Sequence, residues 1–291
     1  MTQIAEAITL NTGQIFAISD YKPLTGGDIN AAFCLKSNHD RYFVKLNRPE
    51  LIFMFEAEAA GLRALSDTQT IKVPQVISVG QTKQHAFLVL EYLDLGPSTQ
   101  NSDRLLGQQL ATLHRLTQPF FGWYRNNTIG STLQINDHNS DWTAFWREHR
   151  LGFQLKLAAK NGYGGKLQQL GEKLSSHLSM LLQDHHPQPS LLHGDLWGGN
   201  IATNRQGAPV IYDPACYFGD READLAMTEL FGGFSQDFRA AYQDIWPVNA
   251  GYTLRKTLYN LYHILNHLNL FGGGYQRQAE TMLAMLLAEV R

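Results

Sequence analysis

The residues best suited to chemistry lie in one short loop and in the hairpin predicted to follow it. The loop HGDLWGGN, residues 193–200, carries Asp195 and Asn200 around two adjacent glycines. The next segment, IATNRQGAPVIYD, has a natural turn, NRQG, between two strand-like runs and ends at Asp213. If those runs pair, we expect Asn200 and Asp213 at the same end of the hairpin, near Asp195.

Two carboxylates and an amide that converge in this way require a cation, because no Lys or Arg separates Asp195 from Asn200 and unpaired buried carboxylates are costly. Oxygen ligands in small number suit Mg²⁺, which keeps waters and takes its other ligands from substrate phosphates. HGDxxxxN followed by a strand-turn-strand ending in Asp corresponds to the HRDxxxxN and DFG pattern of phosphoryl transfer. The pattern therefore predicts a phosphotransferase site with Asn200 and Asp213 on the metal; a surface turn built from ordinary turn formers is the alternative.

A lysine and a glutamate in the first third of the chain form a second candidate group. Lys45 ends the apolar run RYFVK, where its charge must reach solvent or meet an anion. In the helix predicted from LIFMFEAEAAGLRALS, Glu58 lies on the apolar stripe, whereas Glu56 points to roughly the opposite side. A Lys–Glu pair orients the ATP-directed lysine of kinases. We therefore expect Lys45 to pair with Glu58; a partly exposed helix edge is the alternative.

Weaker signals concern nucleotide and substrate contacts. Gly26 and Gly27 lie between two predicted strands, where backbone N–H groups could cradle phosphates, or they form a tight hairpin turn. The segment of Glu91, Tyr92 and Leu93 precedes a predicted break and could offer backbone groups to an adenine. Trp197 could stack on a sugar or fill the core.

Two pairs of side chains favour structural interpretations. His263 and His267 are four residues apart in a predicted helix without a third ligand, so core or interface histidines are expected rather than a metal site. Cys34 and Cys216 form no CxxC pair, and Cys34 is expected to be a small buried hydrophobe. His193 is expected to brace its loop rather than to carry a proton.

Composition excludes several classes of protein. The 291 residues are 44% hydrophobic and 17% charged, which is typical of a globular protein. A formal net charge of −2 provides no basic surface for nucleic acid and no cationic attraction to a membrane. The start, MTQIAEAITL, lacks Lys and Arg and does not read as a secretory signal, so a cytoplasmic location is expected.

The elements that must position these residues divide the chain in two. Strand-like runs with turns and one helix predict a sheet-rich N-terminal lobe over residues 1–93. LDLGPSTQNS is the predicted break, and residues 94–291 predict a helical C-terminal lobe that carries the hairpin. Four helices are predicted in this lobe, one of them a continuous helix over DWTAFWREHRLGFQLKLAAK. The fold class is α+β.

The motifs LLHGDLWGGN, IYDPACYFGDREADLAM and NLYHILNHLNLFG resemble the fructosamine-3-kinase and ketosamine-3-kinase family, over nearly the whole chain. The resemblance implies a bilobal, protein-kinase-like fold of the aminoglycoside phosphotransferase type, with ATP and Mg²⁺ as cofactors. It implies transfer of the γ-phosphate to O3 of fructosamines or ribulosamines, small or protein-bound, which is a deglycation activity. The resemblance implies no nucleic acid or membrane partner, and it does not determine the oligomeric state.

Carried onto this sequence, the resemblance gives each site residue a role. Asp195 matches the catalytic base and Asn200 and Asp213 match the Mg²⁺ ligands. Lys45 and Glu58 match the pair that anchors the nucleotide phosphates, and Glu91 to Leu93 match the adenine hinge. Asp220 and Asp224 match positions that support the loop; Asp220, also considered with Trp197 for substrate contact, could equally be a helix N-cap. The GGDIN segment lacks the third glycine and the cysteine of GGGC-type loops, so no redox-responsive thiol is expected there.

Rival functions use the same residues. Another small-molecule kinase of this fold, of the aminoglycoside or choline type, would need the same carboxylates and lysine. A catalytically silent nucleotide-binding module is the alternative outside the enzymes, although such a module would not need all five of the residues Lys45, Glu58, Asp195, Asn200 and Asp213.

Overall fold

The structure is a computed structural model that describes residues 1–24 and 29–290. Its strands are β1 (Asp20–Leu24), β2 (Ala31–Lys36), β3 (Arg41–Asn47), β4 (Val76–Gln81), β5 (Ala86–Glu91), β6 (Leu95–Gly96), β7 (Asn127–Ile129), β8 (Thr132–Gln134), β9 (Ser190–Leu192), β10 (Ile201–Asn204), β11 (Pro209–Ile211) and β12 (Tyr217–Gly219). Its α-helices are α1 (Thr2–Thr12), α2 (Ile52–Asp67), α3 (Gln100–His114), α4 (Trp142–Phe145), α5 (Phe153–Lys160), α6 (Lys166–Leu181), α7 (Glu222–Leu230), α8 (Gln236–Ile245), α9 (Tyr252–Phe271) and α10 (Tyr275–Ala288).

The chain forms two compact units. The first unit contains Met1–Ser102 and Ile201–Pro214, and the second contains Asp103–Asn200 and Ala215–Arg291. These bounds differ from the predicted lobes, because residues 94–102 and the hairpin group with the first unit. The reason is a ladder that the sequence pattern did not reveal: β6 pairs antiparallel with β10, joining Gly96 to Thr203.

The first unit is built on a five-stranded antiparallel sheet in the order β1-β2-β3-β5-β4. The central strand β3 has Val44 fully buried and pairs with β2 on one side and β5 on the other. Helix α2 follows a 3₁₀ turn at Pro49–Leu51, where proline is favoured at the start of a helix. The predicted hairpin is present, with Ile201 opposite Ile211 and Thr203 opposite Pro209.

Helix α1 is an element that the sequence analysis missed, since only one helix was expected in this third of the chain. Its Ile4 and Ile8 are buried in one cluster with Leu35 and Val89 of the sheet. The helix has an apolar pair at i and i+4 but no side-chain cap, so tertiary packing rather than a terminus signal holds it.

The second unit is mainly helical, with two short antiparallel ladders, β7–β8 and β9–β12. The helix predicted over residues 141–160 is present, but Trp146–Gly152 is wound as a π-helix between α4 and α5. Its Trp142 and Trp146 pack against Tyr259 of α9 in the core. None of the helices in the described part of the chain has the length and apolar character that crossing a membrane requires.

Candidate active site

In the first unit, one lysine joins two carboxylates. Lys45 lies in the buried part of strand β3, near its end, and its side chain is 8% exposed. Its Nζ donates to Glu58 Oε1 at 2.8 Å and also to Asp213 Oδ1. Burial by itself would lower the pKa of Lys45, but the charges of Asp213 and Glu58 outweigh burial and raise the pKa above its ordinary value. The lysine is therefore held charged between two acids.

Helix geometry explains why Glu58 and not Glu56 reaches the lysine. Phe55 and Leu62 of α2 are buried in the core, and Glu58 lies on their side of the helix with its side chain 12% exposed. Glu56 lies on the exposed side. Burial is the main cause that raises the pKa of Glu58, to about 7, although the ammonium of Lys45 acts in the opposite direction. The expected pair has formed.

Asp213 is presented by an unusual backbone conformation. It follows β11 with φ of 57°, a left-handed conformation that Asp tolerates better than most residues. Its side chain is 43% exposed although one oxygen contacts the buried Lys45. This carboxylate therefore meets the lysine and solvent together, as a metal ligand would need to do.

The candidate adenine segment begins at the last paired residue of β5. Glu91 pairs with Tyr42 of β3, and its carboxylate accepts from Lys72 Nζ at 2.8 Å and from the Gln75 N–H at 3.2 Å. The Arg41 guanidinium lies 4.6 Å from the centroid of the Tyr92 ring. Tyr92 and Leu93 follow the ladder. The Glu91 side chain is thus engaged, and its N–H also donates to the carbonyl of Gln75 at 2.8 Å.

In the second unit, the loop that carries Asp195 is held by its own neighbours. It leaves β9 through Gly194, whose φ is 83°, and a Cβ there would lie 2.1 Å from the carbonyl oxygen of Ala215. The N–H of Asp195 donates to Nδ1 of the buried His193 at 3.3 Å. This contact fits the expected bracing role of His193. Only glycine fits at position 194.

Asn200 closes the same loop. Its Nδ2 donates to the backbone oxygen of Asp195 at 2.9 Å and approaches Asp195 Oδ2 at 3.4 Å. The amide nitrogen is thereby engaged with Asp195, so the amide oxygen Oδ1 is the atom left to bind a hard cation. Carboxylate and amide oxygens are the ligands that Mg²⁺ prefers, so Asn200 and Asp213 each fit the metal that the sequence predicts.

Asp224 of α7 anchors the start of the loop. Its carboxylate accepts from the N–H of His193 at 2.7 Å and of Gly194 at 2.8 Å, and lies 3.2 Å from Nε2 of His114. Burial raises the pKa of Asp224, but the hydrogen bond and charge of His114, the charge of His193 and the Gly194 N–H together bring it below its ordinary value. The charged carboxylate is thus the form that binds the loop, in the supporting position that the resemblance implied.

Asp220 has a different environment. It is 1% exposed, and its carboxylate contacts His185 Nε2 at 2.5 Å, the hydroxyl of Tyr259 and the N–H of Glu222. The N-cap of α7 is Arg221, so Asp220 lies one residue before the cap position that the alternative gave it. Its burial leaves no surface for substrate contact. His185, Asp220 and Glu222 come close enough to hold a metal, but Arg255 binds both carboxylate oxygens of Glu222. The cluster is an internally satisfied ion-pair network.

Trp197 is the exposed aromatic residue of the loop, at 39%. Its ring meets that of Phe231 edge to face, with centroids 6.2 Å apart. Three other tryptophans, Trp123, Trp142 and Trp146, are buried and fill the core. Phe231 and His267, whose rings lie 5.0 Å apart, continue the aromatic surface and were not predicted as site residues.

The remaining expectations concern two glycines, a histidine and the two cysteines. Gly26 and Gly27 lie outside the described residues. His263 is buried in α9, and burial lowers its pKa to about 3, as expected for a core histidine. Both cysteines are buried, and burial raises the pKa of the Cys216 thiol. The structural interpretations of these side chains are confirmed.

The sequence analysis did not predict His114, which contacts Asp224, or Tyr242, which contacts His114. His114 is fully buried at the end of α3, and the hydroxyl of Tyr242 lies 2.8 Å from its Nδ1. A single histidine in an amphipathic helix gives no signal of a partner 110 residues away. A polar residue on the apolar stripe of α3 was the one available clue.

Comparison with known proteins identifies the family. The fructosamine kinase family model matches residues 1–289. The chain is 49% identical to a probable ketoamine kinase of Synechocystis, covering 98% of this chain and 96% of that protein. It is 42% identical to the chloroplastic protein-ribulosamine 3-kinase of Arabidopsis thaliana, covering 94% of this chain and 84% of that protein.

Solved structures agree with the fold. A crystal structure of a provisionally named fructosamine-3-kinase from Haemophilus somnus matches with a TM-score of 0.91 at 30% identity, covering 98% of this chain and 96% of that one. The aminoglycoside phosphotransferase APH(4)-Ia matches in fold alone, with a TM-score of 0.62 at 15% identity over 98% of both chains. The predicted α+β, protein-kinase-like fold is confirmed, and the chain belongs to the fructosamine kinase family.

Proposed function

We propose that this protein is an ATP- and Mg²⁺-dependent ketosamine kinase that transfers the γ-phosphate of ATP to the O3 hydroxyl of a fructosamine or ribulosamine. Membership of the fructosamine kinase family makes it a kinase and implies ATP as the phosphoryl donor. The names of relatives at 49% and 42% identity support a ketosamine acceptor. Phosphorylation at O3 makes the sugar labile, so the activity would serve deglycation.

The observation that carries the proposal is the buried ammonium of Lys45 between Glu58 and Asp213. A permanently charged lysine that a glutamate holds in place is suited to bind nucleotide phosphates. One carboxylate would be enough for a structural ion pair with Lys45. Here Lys45 also contacts a second carboxylate, that of Asp213, which is partly exposed. The second carboxylate is therefore available to a ligand.

Asp195 is the proposed base. Its backbone is held by Asn200 and by the N–H···Nδ1 contact with His193, and Asn200 Nδ2 also approaches its carboxylate at 3.4 Å. It would orient the acceptor hydroxyl and accept its proton late in the transfer. Asn200 and Asp213 would hold Mg²⁺, which when bound neutralises the charge of the transferring phosphoryl group. Most of the rate enhancement would come from positioning and electrostatics.

The acceptor is proposed to contact Trp197, whose exposed ring stands two residues after Asp195. A flat aromatic face suits the apolar face of a sugar ring. The backbone of Glu91, Tyr92 and Leu93 is proposed to receive the adenine, since the Glu91 side chain is already bound to Lys72.

The test is ADP release from Mg-ATP with fructosyl-lysine, ribulosyl-lysine, an aminoglycoside and choline as acceptors. We expect turnover on a ketosamine and not on the other two. Asp195→Ala should lower kcat by ~10²–10⁴-fold with ATP affinity retained, which is the range for loss of a general base. Asp137→Ala is the matched control, because this exposed aspartate belongs to the same unit but not to the loop. Turnover on the aminoglycoside or choline alone would replace the acceptor, and ATP binding without turnover on any acceptor would leave a silent module.

A further inference from the structure

A buried cross-strand pair of amides holds the chain segment that follows Asp213. Asn127 of β7 and Gln134 of β8 lie directly opposite each other and are almost fully buried. Asn127 Nδ2 donates to the carbonyl of Cys216 at 2.7 Å, and Gln134 Nε2 donates to the carbonyl of Ala215 at 3.1 Å. Two successive carbonyls outside any strand thus receive side-chain donors from one hairpin.

The segment held in this way contacts the loop of Asp195. The N–H of Ala215 donates to the carbonyl of His193 at 2.8 Å. The Ala215 carbonyl, which Gln134 binds, also occupies the space where residue 194 would carry a Cβ. Ala215 therefore lies between the amide pair and the backbone of His193 and Gly194, immediately before Asp195.

Further contacts fix the orientation of both amides. Gln134 Nε2 also donates to Asn127 Oδ1 at 2.7 Å, and Gln134 Oε1 accepts from the hydroxyl of Tyr262 at 2.8 Å. Asn136 Nδ2 donates to Asn127 Oδ1 at 3.0 Å, and Asn136 Oδ1 in turn accepts from the buried Arg150 at 2.8 Å. Each oxygen of the pair accepts and each nitrogen donates, so neither amide can flip without loss of hydrogen bonds.

Burial of this network has to be explained, since apolar side chains of the same size would avoid the desolvation cost of buried amides. The hairpin shows what the amides provide. β7 and β8 are three residues each, and their inward positions at one end are the two amides rather than apolar residues. A hairpin this short adds little core of its own, but it delivers two donors to the buried carbonyls of Ala215 and Cys216.

We propose that Asn127 and Gln134 are positioning residues for the Asp195 loop: by holding the carbonyls of Ala215 and Cys216, they set the backbone of His193 and Gly194 and with it the orientation of the Asp195 carboxylate. The catalytic part of this inference rests on the proposed role of Asp195. The structural part, that the β7–β8 hairpin restrains the loop, does not depend on the role of Asp195.

The experiment compares Gln134→Met with Gln168→Met. Gln168 likewise donates its amide nitrogen to two acceptors, here the backbone carbonyls of Leu155 and Tyr163, which lie outside the loop. Both changes remove similar donors from the same unit. Tyr262→Phe is a milder variant, which leaves Gln134 in place but removes the hydroxyl that orients it.

Two measurements test separately whether the hairpin restrains the loop and whether that restraint affects catalysis. Hydrogen exchange of the peptide covering residues 193–200 should accelerate in Gln134→Met and, less, in Tyr262→Phe, and should be unchanged in Gln168→Met. With a ketosamine acceptor, kcat should fall by ~10–100-fold in Gln134→Met, the size expected for a misplacement of about 1 Å, with KM for ATP within twofold. A general loss of packing would instead lower the melting temperature without a selective loss of kcat.

The outcomes are distinguishable. If exchange and kcat in Gln134→Met match those in Gln168→Met, the positioning role is wrong, whatever the acceptor. If the wild-type protein turns over no ketosamine, the proposed function fails, while faster exchange in Gln134→Met still supports the restraint by the hairpin. If Gln134→Met does not fold, Tyr262→Phe decides: unchanged exchange and kcat in that variant overturn the proposal.

Discussion

Replacement of Asp224 by asparagine should damage the Asp195 loop more than the rest of the protein. The carboxylate accepts from the N–H groups of His193 and Gly194 and from His114, in a fully buried site. Asparagine keeps one acceptor oxygen but turns an NH₂ group toward one of those donors. A hydrogen bond to a charged acceptor contributes ~1.5–3 kcal/mol, and a buried donor left unsatisfied costs ~1–3 kcal/mol more. The expected destabilisation is therefore about 3–5 kcal/mol, in line with the loss of one partner from a buried charged pair.

The measurement combines thermal unfolding with kinetics. The destabilisation should lower Tm by roughly 10 °C, at ~2–4 °C per kcal/mol for a chain of this size class. Below that temperature kcat should still be ~10²-fold low, because the loop backbone has lost its anchor. Affinity for ATP should be retained, since Lys45, Glu58 and Asp213 are untouched.

Glu229→Gln is the matched control for this change. Glu229 lies in the same helix α7 and accepts from Tyr252 and Lys256, but it contacts no part of the loop. It should keep kcat near that of the wild type. If Asp224→Asn unfolds at the wild-type temperature with kcat within threefold, the two N–H bonds do not hold the loop and the reasoning is refuted.

Two further predictions follow from single side chains. His263, whose pKa burial lowers to about 3, contributes stability that is complete above its unfolded pKa of about 6.5 and is lost as the pH falls from there toward 3. His263→Leu should therefore remove ~1.4 kcal/mol of the stability loss between pH 7.5 and 5.5 in urea unfolding, at ~1.4 kcal/mol per pH unit, while the exposed-site change His186→Gln should leave that loss unaltered. Gly194→Ala should cost well above the ~1–3 kcal/mol of a positive φ alone, because its Cβ would meet the Ala215 carbonyl. Gly162→Ala, with a φ of 94° and open space around it, measures the φ cost by itself, and equal losses in the two variants would contradict the close approach.

The residues of the candidate site were predictable where a local pattern determines their neighbours. The NRQG turn fixes the pairing of β10 with β11, and the 3.6-residue period of α2 turns Glu58 rather than Glu56 toward β3. In both cases, a few neighbouring residues determine how the segment pairs or which way its side chain points. The same holds for the buried histidine and cysteines, which lie within apolar runs.

Contacts between distant segments were not predictable in this way. The ladder of β6 with β10 joins a segment that was expected to be a linker to the hairpin, and two residues of each strand suffice for it. The pairing of His114 with Asp224 and of Asn127 with Cys216 spans 110 and 89 residues, respectively. Such polar pairs have no periodicity, because they depend on where whole elements pack and not on the spacing of residues along one element.

The charges around Lys45 bear on how a nucleotide could bind at all. One ammonium contacts two carboxylates, so the cluster of Lys45, Glu58 and Asp213 carries a net negative charge when both acids are ionised. That sign opposes an anionic triphosphate, and the lysine cannot offset it while it is shared. A divalent cation held by Asp213 would reverse the balance, because it would neutralise the partly exposed carboxylate and leave the Lys45–Glu58 pair intact. The charge of the cluster therefore favours a metal–nucleotide complex over free ATP, which supports the Mg²⁺ proposed on Asp213.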